Sequence, residues 1–289
     1  MNDMTGHKQP RPRLVRAMSE AEAAYLQGGE HPPTGSFLTS NSKFLNSPVF
    51  RDAWCQASLR RYGWDLPVTY HLPTSFRAVA EVTDVDRFVA LVEAEKRTNP
   101  GFRDWVDARK LPVWPLDRVR ECAPGTLGAA IHEFMAKSGM SADFMRQGDP
   151  IESDVDYILK RRSAGHDVEH IVTGFGTNQP GEHAISLLSS VGSNLHLTPE
   201  LAGIVNLGTA MANSASFMRN SIHYPAGMPY LLKATQKAIE MGFALPCPMY
   251  MVDWDQYLDM TIADTCADLG ITYNTEAEEW YAVDHLFRG

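Results

Sequence analysis

An all-α fold, a single multi-helix domain, is predicted by three observations. Apolar residues recur at helical spacing over most of the chain beyond residue 80. Helix-start signatures stand in front of several of these runs. The continuous apolar–polar alternation that a half-buried strand needs is scarce.

The elements follow in order. Residues 1–16 form a basic, proline-broken tail. Its Lys8-Gln9-Pro10-Arg11-Pro12-Arg13 run is either simply solvated or touches anionic lipid headgroups. A short helix is expected over 19–26, then a loop at Gly28-Gly29 and Pro32-Pro33. Residues 1–35 are thus a partly disordered extension and 36–289 a helical metal-binding domain. Val85, Phe88, Val89 and Val92 fall on one helical face behind a Thr83-x-x-Asp86 start. A helix between Gly125 and Gly139 carries Ile131, Phe134 and Met135, and Ser153-Asp154 opens another with Val155, Ile158 and Leu159. Thr198-Pro199-Glu200 combines a capping hydroxyl with proline at the first helical position. The helix it opens should run to about residue 220, apolar over much of its circumference (Leu201, Val205, Met211, Phe217). It reads as a central core helix or as one wall of a groove for a long apolar ligand. Two more helices are expected over 229–241 and 255–269.

Composition narrows the function. The 289-residue chain is 44% apolar and carries a net charge of -9, which disfavours a nucleic-acid partner, since phosphate neutralisation needs a basic face. Cys55, Cys122, Cys247 and Cys266 form no Cys-x-x-Cys pair and read as reduced thiols. No apolar N-terminal run and no stretch of the roughly 20 apolar residues that span a bilayer is present. The expectation is a cytoplasmic protein, with peripheral attachment to the inner face of a membrane left open. An exposed amphipathic helix face would serve a homodimer or a membrane equally well.

The chemistry concentrates in His166-Asp167-Val168-Glu169-His170. His166 and His170 lie one turn apart on one helical face, with Asp167 about 100° round. The run from Gly174 to Gly181 is dense in turn residues, and Pro180 suits the start of a returning helix. Glu182, just inside that helix, meets the histidines at similar depth, which puts a metal site on a helix-turn-helix hairpin. Two imidazoles with carboxylates suit zinc or iron. A polar cluster without metal is the alternative. Glu169 is either a base behind the ligands or a surface residue, and His183 points away.

These residues resemble the coenzyme Q (ubiquinone) biosynthesis protein 4 family, whose hallmark is His-Asp-x-x-His followed, after eleven residues, by Glu. His166-Asp167-x-x-His170 and Glu182 keep that spacing. Pro124-Gly125-Thr126-Leu127-Gly128 and Tyr157 with Arg161 and Arg162 are similar to further family elements, over roughly residues 115–270. Ile131 and Ser163-Ala164-Gly165 depart from the pattern, and residues 1–80 match nothing in it. The resemblance implies a helical fold, a divalent metal described as zinc, and a role in building the ubiquinone ring. It also implies a peripheral membrane protein that binds prenyl lipids.

Three functions follow. The first is metal-dependent, oxidative decarboxylation of an aromatic acid such as a prenylated quinone precursor. Asp167 or Glu182 would act as exchangeable ligand or base there, and Arg161 or Arg162 with Tyr157 would bind substrate. The second is a lipid-binding scaffold, since four protein ligands close a tetrahedral site. The third is an enzyme of specialised metabolism acting on another aromatic or pyrrolic acid.

Overall fold

The computed structural model describes residue 20 and residues 42–62, 68–139 and 144–288. Every regular element among them is helical, with one isolated bridge, Thr126 to Thr261. The expected tail and the helix over 19–26 lie outside the described residues, Glu20 apart, as does the expected boundary at 35. The chain divides into two units, Met1–Asn46 and Ser47–Gly289. Of the first, a single turn, α1 (Lys43–Asn46), is described, opened by Ser42, whose hydroxyl accepts from Leu45 N–H.

The second unit holds α2 (Pro48–Leu59), α3 (Leu72–Val82), α4 (Val85–Thr98), α5 (Pro100–Ala108), α6 (Leu116–Arg120), α7 (Leu127–Ser138), α8 (Asp154–Ala164), α9 (His166–Thr173), α10 (Gln179–His196), α11 (Pro199–Val205), α12 (Leu207–His223), α13 (Met228–Ala244), α14 (Ile262–Leu269) and α15 (Ala277–Ala282). Local sequence explains half of these starts, Ser47 at α2 among them. Asp84, Asn99, Thr126, Ser153, Asn178 and Thr261 each accept a backbone N–H with the side chain, relieving donors that a helix start leaves unmet. Ser153 and Asp156 form a reciprocal capping box. At α4 the cap is Asp84 rather than Thr83, and the buried face is Phe88, Leu91, Val92 and Glu95, with Val85 and Val89 exposed.

The main core gathers Leu127 and Ile131 of α7, Val168 and Val172 of α9, Ile185 and Leu188 of α10, and Ala234 and Ala238 of α13, closed by Trp254 and Trp280. A second core joins Phe88, Phe102, Tyr157, Ile158, Leu201 and Tyr250. A third, smaller one holds Ala53, Ala78 and Met211. All four cysteines are free thiols, and no described helix is long and apolar enough to cross a membrane.

Two expected helices differ from the observed ones. The helix predicted from 199 to 220 breaks at Asn206. There the Val205 carbonyl accepts from Arg162 Nη1 at 2.8 Å, and Asn206 Nδ2 donates to the Ser190 carbonyl at 3.1 Å. A side chain entering the backbone ladder is a recognised cause of helix kinks. Nor is this segment a fully buried central helix: Gly208, Ala210, Ala212, Ser214 and Met218 are exposed. The central position belongs to α10, packed along α13 where Gly242 lies against Val191 and Leu188. Residues 255–269 are α-helical only from Ile262, after a 3-10 turn at Trp254–Gln256. The carbonyls of Leu258 and Met260 accept from Gly128 and Leu127 N–H at the start of α7, holding that stretch out of a helix.

Candidate metal centre

The helix carrying the two histidines is short because glycine ends it. Gly174 takes a left-handed φ of 72°, which other residues adopt at a cost. A Cβ there would lie 2.4 Å from the Asn274 carbonyl oxygen. Asn274 clamps the same end, donating from its backbone to Thr173 O at 2.8 Å and from Nδ2 to Gly174 O at 3.1 Å. The chain then turns back. Asn178 accepts from Gly181 N–H at 3.1 Å, and Pro180 occupies the first turn of α10. Gly181 is required by packing, since a Cβ would sit 1.7 Å from Gly176 O. Phe175 in the turn stacks on Trp280, ring centroids 5.9 Å apart.

This hairpin brings three side chains together. His166 Nε2 lies 3.2 Å from Glu182 Oε2 and 3.2 Å from His170 Nε2, and His170 Nε2 lies 3.6 Å from Glu182 Oε1. His170 Nδ1 is 2.8 Å from the Phe175 carbonyl. A carbonyl only accepts, so Nδ1 carries a proton, and in the neutral form of this ring the Nε2 lone pair faces the other two residues. Metal-binding histidines are usually oriented by such a bond. His170 is buried, while His166 and Glu182 are each about two-fifths exposed, at 39% and 41%, so the cluster opens to solvent on one side. Ligand atoms of His166, His170 and Glu182 all lie within 4.8 Å of one another. A tetrahedral ion at 2.0–2.1 Å from its ligands would space them by about 3.4 Å, so the donor set fits a divalent ion.

The electrostatics agree with an acceptor-rich centre. For His166, burial opposes the charged form, but the Glu182 hydrogen bond and the charges of Glu182, Glu169 and Asp167 outweigh it and push the imidazole up to about 9. Burial works against the Glu182 carboxylate too, yet His170 and His166 hold it well below the usual range. Asp167, half-buried beside the three, is raised by burial against the pull of the two histidines. It stands outside the three-residue group. Glu169 is 2% exposed and therefore no surface residue; burial pushes it up to about 7, against the pull of His166 and Arg161. His183 points elsewhere, its Nε2 donating to Thr235 Oγ1 at 3.0 Å.

Residues 157–162 are built differently. Tyr157 is fully buried and donates to the Lys110 carbonyl at 2.9 Å. Arg162 donates to Val205 O and to Ser189 Oγ, with its guanidinium 5.0 Å from the Tyr250 ring centre. Arg161, 3% exposed, donates through Nη2 to Val252 O. Neither arginine is an exposed helix charge. The turn partners Asn178, Asn274 and Trp280 were not singled out as site residues in the sequence. Asn178 carries a local signal, an Asn three residues before a glycine at a helix start; the other two lie about a hundred residues downstream.

Fold and site together define a class: an all-α protein whose His-x-x-x-His helix turns back onto a glutamate. The model of the family described as coenzyme Q (ubiquinone) biosynthesis protein Coq4 matches residues 112–274, more than half of the chain. The chain belongs to that family, which is one of ubiquinone biosynthesis. It is 25% identical over 171 residues to the mitochondrial ubiquinone biosynthesis protein COQ4 of Eremothecium gossypii, covering 55% of this chain and 46% of that one. It is 23% identical over 223 residues to the protein of the same description from Lachancea thermotolerans, covering 71% and 60%. The chain thus spans about half the length of the curated relatives it matches. Both relatives are described as mitochondrial, a different compartment from the cytoplasm expected for this chain. A crystal structure of a Nostoc punctiforme protein assigned to ubiquinone biosynthesis superposes with a TM-score of 0.57 at 20% identity, over 76% of this chain and 95% of that one. That likeness concerns the fold alone.

Proposed function

We propose that His166, His170 and Glu182 hold a divalent metal, with Asp167 as an additional, exchangeable ligand. We further propose that this centre acts on an aromatic carboxylic acid of the ubiquinone ring-building route, exchanging its carboxylate for a hydroxyl with release of carbon dioxide and use of an external oxidant. The observation that carries the reading is the His170 Nδ1 bond to Phe175 O, which leaves an Nε2 lone pair facing a second imidazole nitrogen at 3.2 Å and a carboxylate. Bound there, zinc would supply Lewis-acid polarisation of the acid and iron, in addition, an electron relay.

The residues themselves do the rest. Phe175 O fixes the His170 ring. Glu182 and Asp167, beside the centre, are the groups able to yield a position to substrate or to take a proton from it. Half-exposed His166 and Glu182 mark the side from which substrate enters. Elemental analysis of protein purified without added metal tests the first step. A carboxylated aromatic assayed with and without dioxygen tests the second: carbon dioxide release without any dioxygen requirement would leave simple decarboxylation.

A scaffold role draws on a separate observation. Leu232, Ile239 and Phe243, 54%, 37% and 67% exposed, share one face of α13, and such a stripe suits a prenyl tail or a peripheral membrane contact. Release of CO2 by wild type, abolished in His170→Ala, would exclude a purely structural centre.

A further inference from the structure

We propose that Asn274, Trp280 and Tyr281, about a hundred residues downstream, position His170 by bracing the turn that presents the Phe175 carbonyl to it; the proposal rests on the metal reading of that centre. The bond from Nδ1 to Phe175 O is what leaves an Nε2 lone pair for an ion. A neutral imidazole whose proton moved to Nε2 would meet the ion with a donor instead. The direction of one carbonyl therefore decides whether His170 is a ligand.

Local sequence does not fix that direction. The carbonyl lies in the rigid plane of the peptide between Phe175 and Gly176. Gly174 and Gly176 flank Phe175, and glycine has the widest torsional freedom of any residue. Thr173 Oγ1 accepts from Phe175 N–H at 3.2 Å, which holds the amide side of Phe175 and leaves its carbonyl side to turn.

The downstream residues take hold on every side of that plane. Before it, Asn274 Nδ2 donates to Gly174 O at 3.1 Å. At it, fully buried Trp280 stacks on the Phe175 ring with the two planes 10° apart. After it, Tyr281 covers Gly176, where a Cβ would lie 2.8 Å from its ring. The Tyr281 hydroxyl accepts from Thr177 N–H at 2.8 Å and shares a second bond with Thr177 Oγ1 at 3.1 Å. Tyr281 is 44% exposed, so burial of its ring does not account for this placement. Glu276 anchors the segment, drawing Lys233 and Lys237 of α13 to 3.4 and 3.3 Å. Trp280 and Tyr281 lie beyond residues 112–274, the stretch that the family model matches.

Heteronuclear NMR of the His170 ring nitrogens in the metal-free full chain, paired with zinc affinity from chelator competition, tests the proposal. In wild type Nδ1 should carry the proton and Nε2 should not. Tyr281→Phe keeps a ring over Gly176 and loses the hydroxyl. About one-third of its His170 rings should stay in the wild-type form, and zinc should bind about threefold more weakly, the worth of one ordinary hydrogen bond. Trp280→Leu should weaken zinc by about tenfold, the lower end of what a lost outer partner costs, and Trp280→Phe, which keeps a stacked ring, should recover most of that. The two readouts are tied, because affinity falls by the factor by which the competent form is depleted; a loss of fold stability alone does not produce that match. Tyr281→Phe decides the matter if Trp280→Leu fails to fold. Unchanged His170 signals in Tyr281→Phe overturn the proposal, whatever its zinc affinity. A wild type that takes up no zinc ends the metal reading, while the ring signals, read without metal, still decide whether these residues set His170.

Discussion

Residues 157–162 on α8 and 166–170 on α9 are separated by one turn, and each carries four polar side chains. Their fates diverge because of what their polar atoms can do. Tyr157, Arg161 and Arg162 bring donors, and the interior offers backbone carbonyls: Lys110, Val252 and Val205 take one bond each. These bonds tie α8 to three distant parts of the chain. His170 and Glu182 bring acceptors, and the groups facing them are other acceptors or the single Nε2 proton of His166. A buried donor finds a carbonyl almost anywhere; a convergent set of acceptors calls for a cation. On this contrast, substitutions on α9 should change the content of the proposed metal, and those on α8 should change stability.

The largest expected effect is on α9. His170→Ala removes the best-oriented ligand. Metal affinity should fall by more than the about 10–100-fold that loss of an outer-shell partner costs, and turnover should vanish. Metal analysis by mass spectrometry checks it, and a variant that keeps its ion and its activity breaks the contrast. Gly181→Ala comes next. Its Cβ meets the Gly176 backbone, which cannot swing aside as a side chain can. A loss of roughly 1–3 kcal/mol or more is expected from such overpacking, together with metal loss as Glu182 moves. Chemical denaturation of the variant measures the first and elemental analysis the second. On α8, Arg162→Met should cost about 1–3 kcal/mol by stranding the Val205 carbonyl, yet leave metal content at the wild-type level. If metal is lost without a fall in stability, Arg162 belongs to the site after all.

What the sequence made legible was local. The cap at Ser153, the glycine stop at Gly174, Pro180 at the start of α10 and the four-residue spacing of the histidines all act within a turn or two. The return of Glu182 follows from them. What stayed hidden depends on remote partners. The break at Asn206 is made by Arg162 and Ser190, and residues 257–261 are kept out of an α-helix by amides at the start of α7. Thr198 shows the same limit: its hydroxyl was expected to cap α11, yet no such bond forms, and its N–H is taken by Glu95 at 3.0 Å. The carbonyl partners of Arg161 and Arg162 were hidden in the same way, since position on a helix face says nothing of which carbonyl waits 40 or 90 residues downstream.

The smallest effect bears most directly on how the cluster is held without its ion. His166 is raised from 6.5 to about 9 and Glu182 is depressed from 4.5. A raised imidazole stabilises the fold fully below its unfolded value and loses that contribution as pH rises through about 9. A depressed carboxylate stabilises it above its unfolded value and loses that as pH falls through the folded one. The pair therefore supports the metal-free protein most between the two unfolded values, 4.5 and 6.5. At neutral pH His166 still carries the Nε2 proton that an ion would displace, so metal uptake should release about one proton per ion. Above about 9 that release should disappear, and apparent affinity should stop rising with pH. Zinc titrations in buffers of different ionisation enthalpy count the protons. His166→Gln should bind more weakly and lose the release. Uptake at neutral pH with no proton released would mean that His166 is not displaced from Glu182 and His170, and the cluster would then be an ion pair beside the metal rather than its seat.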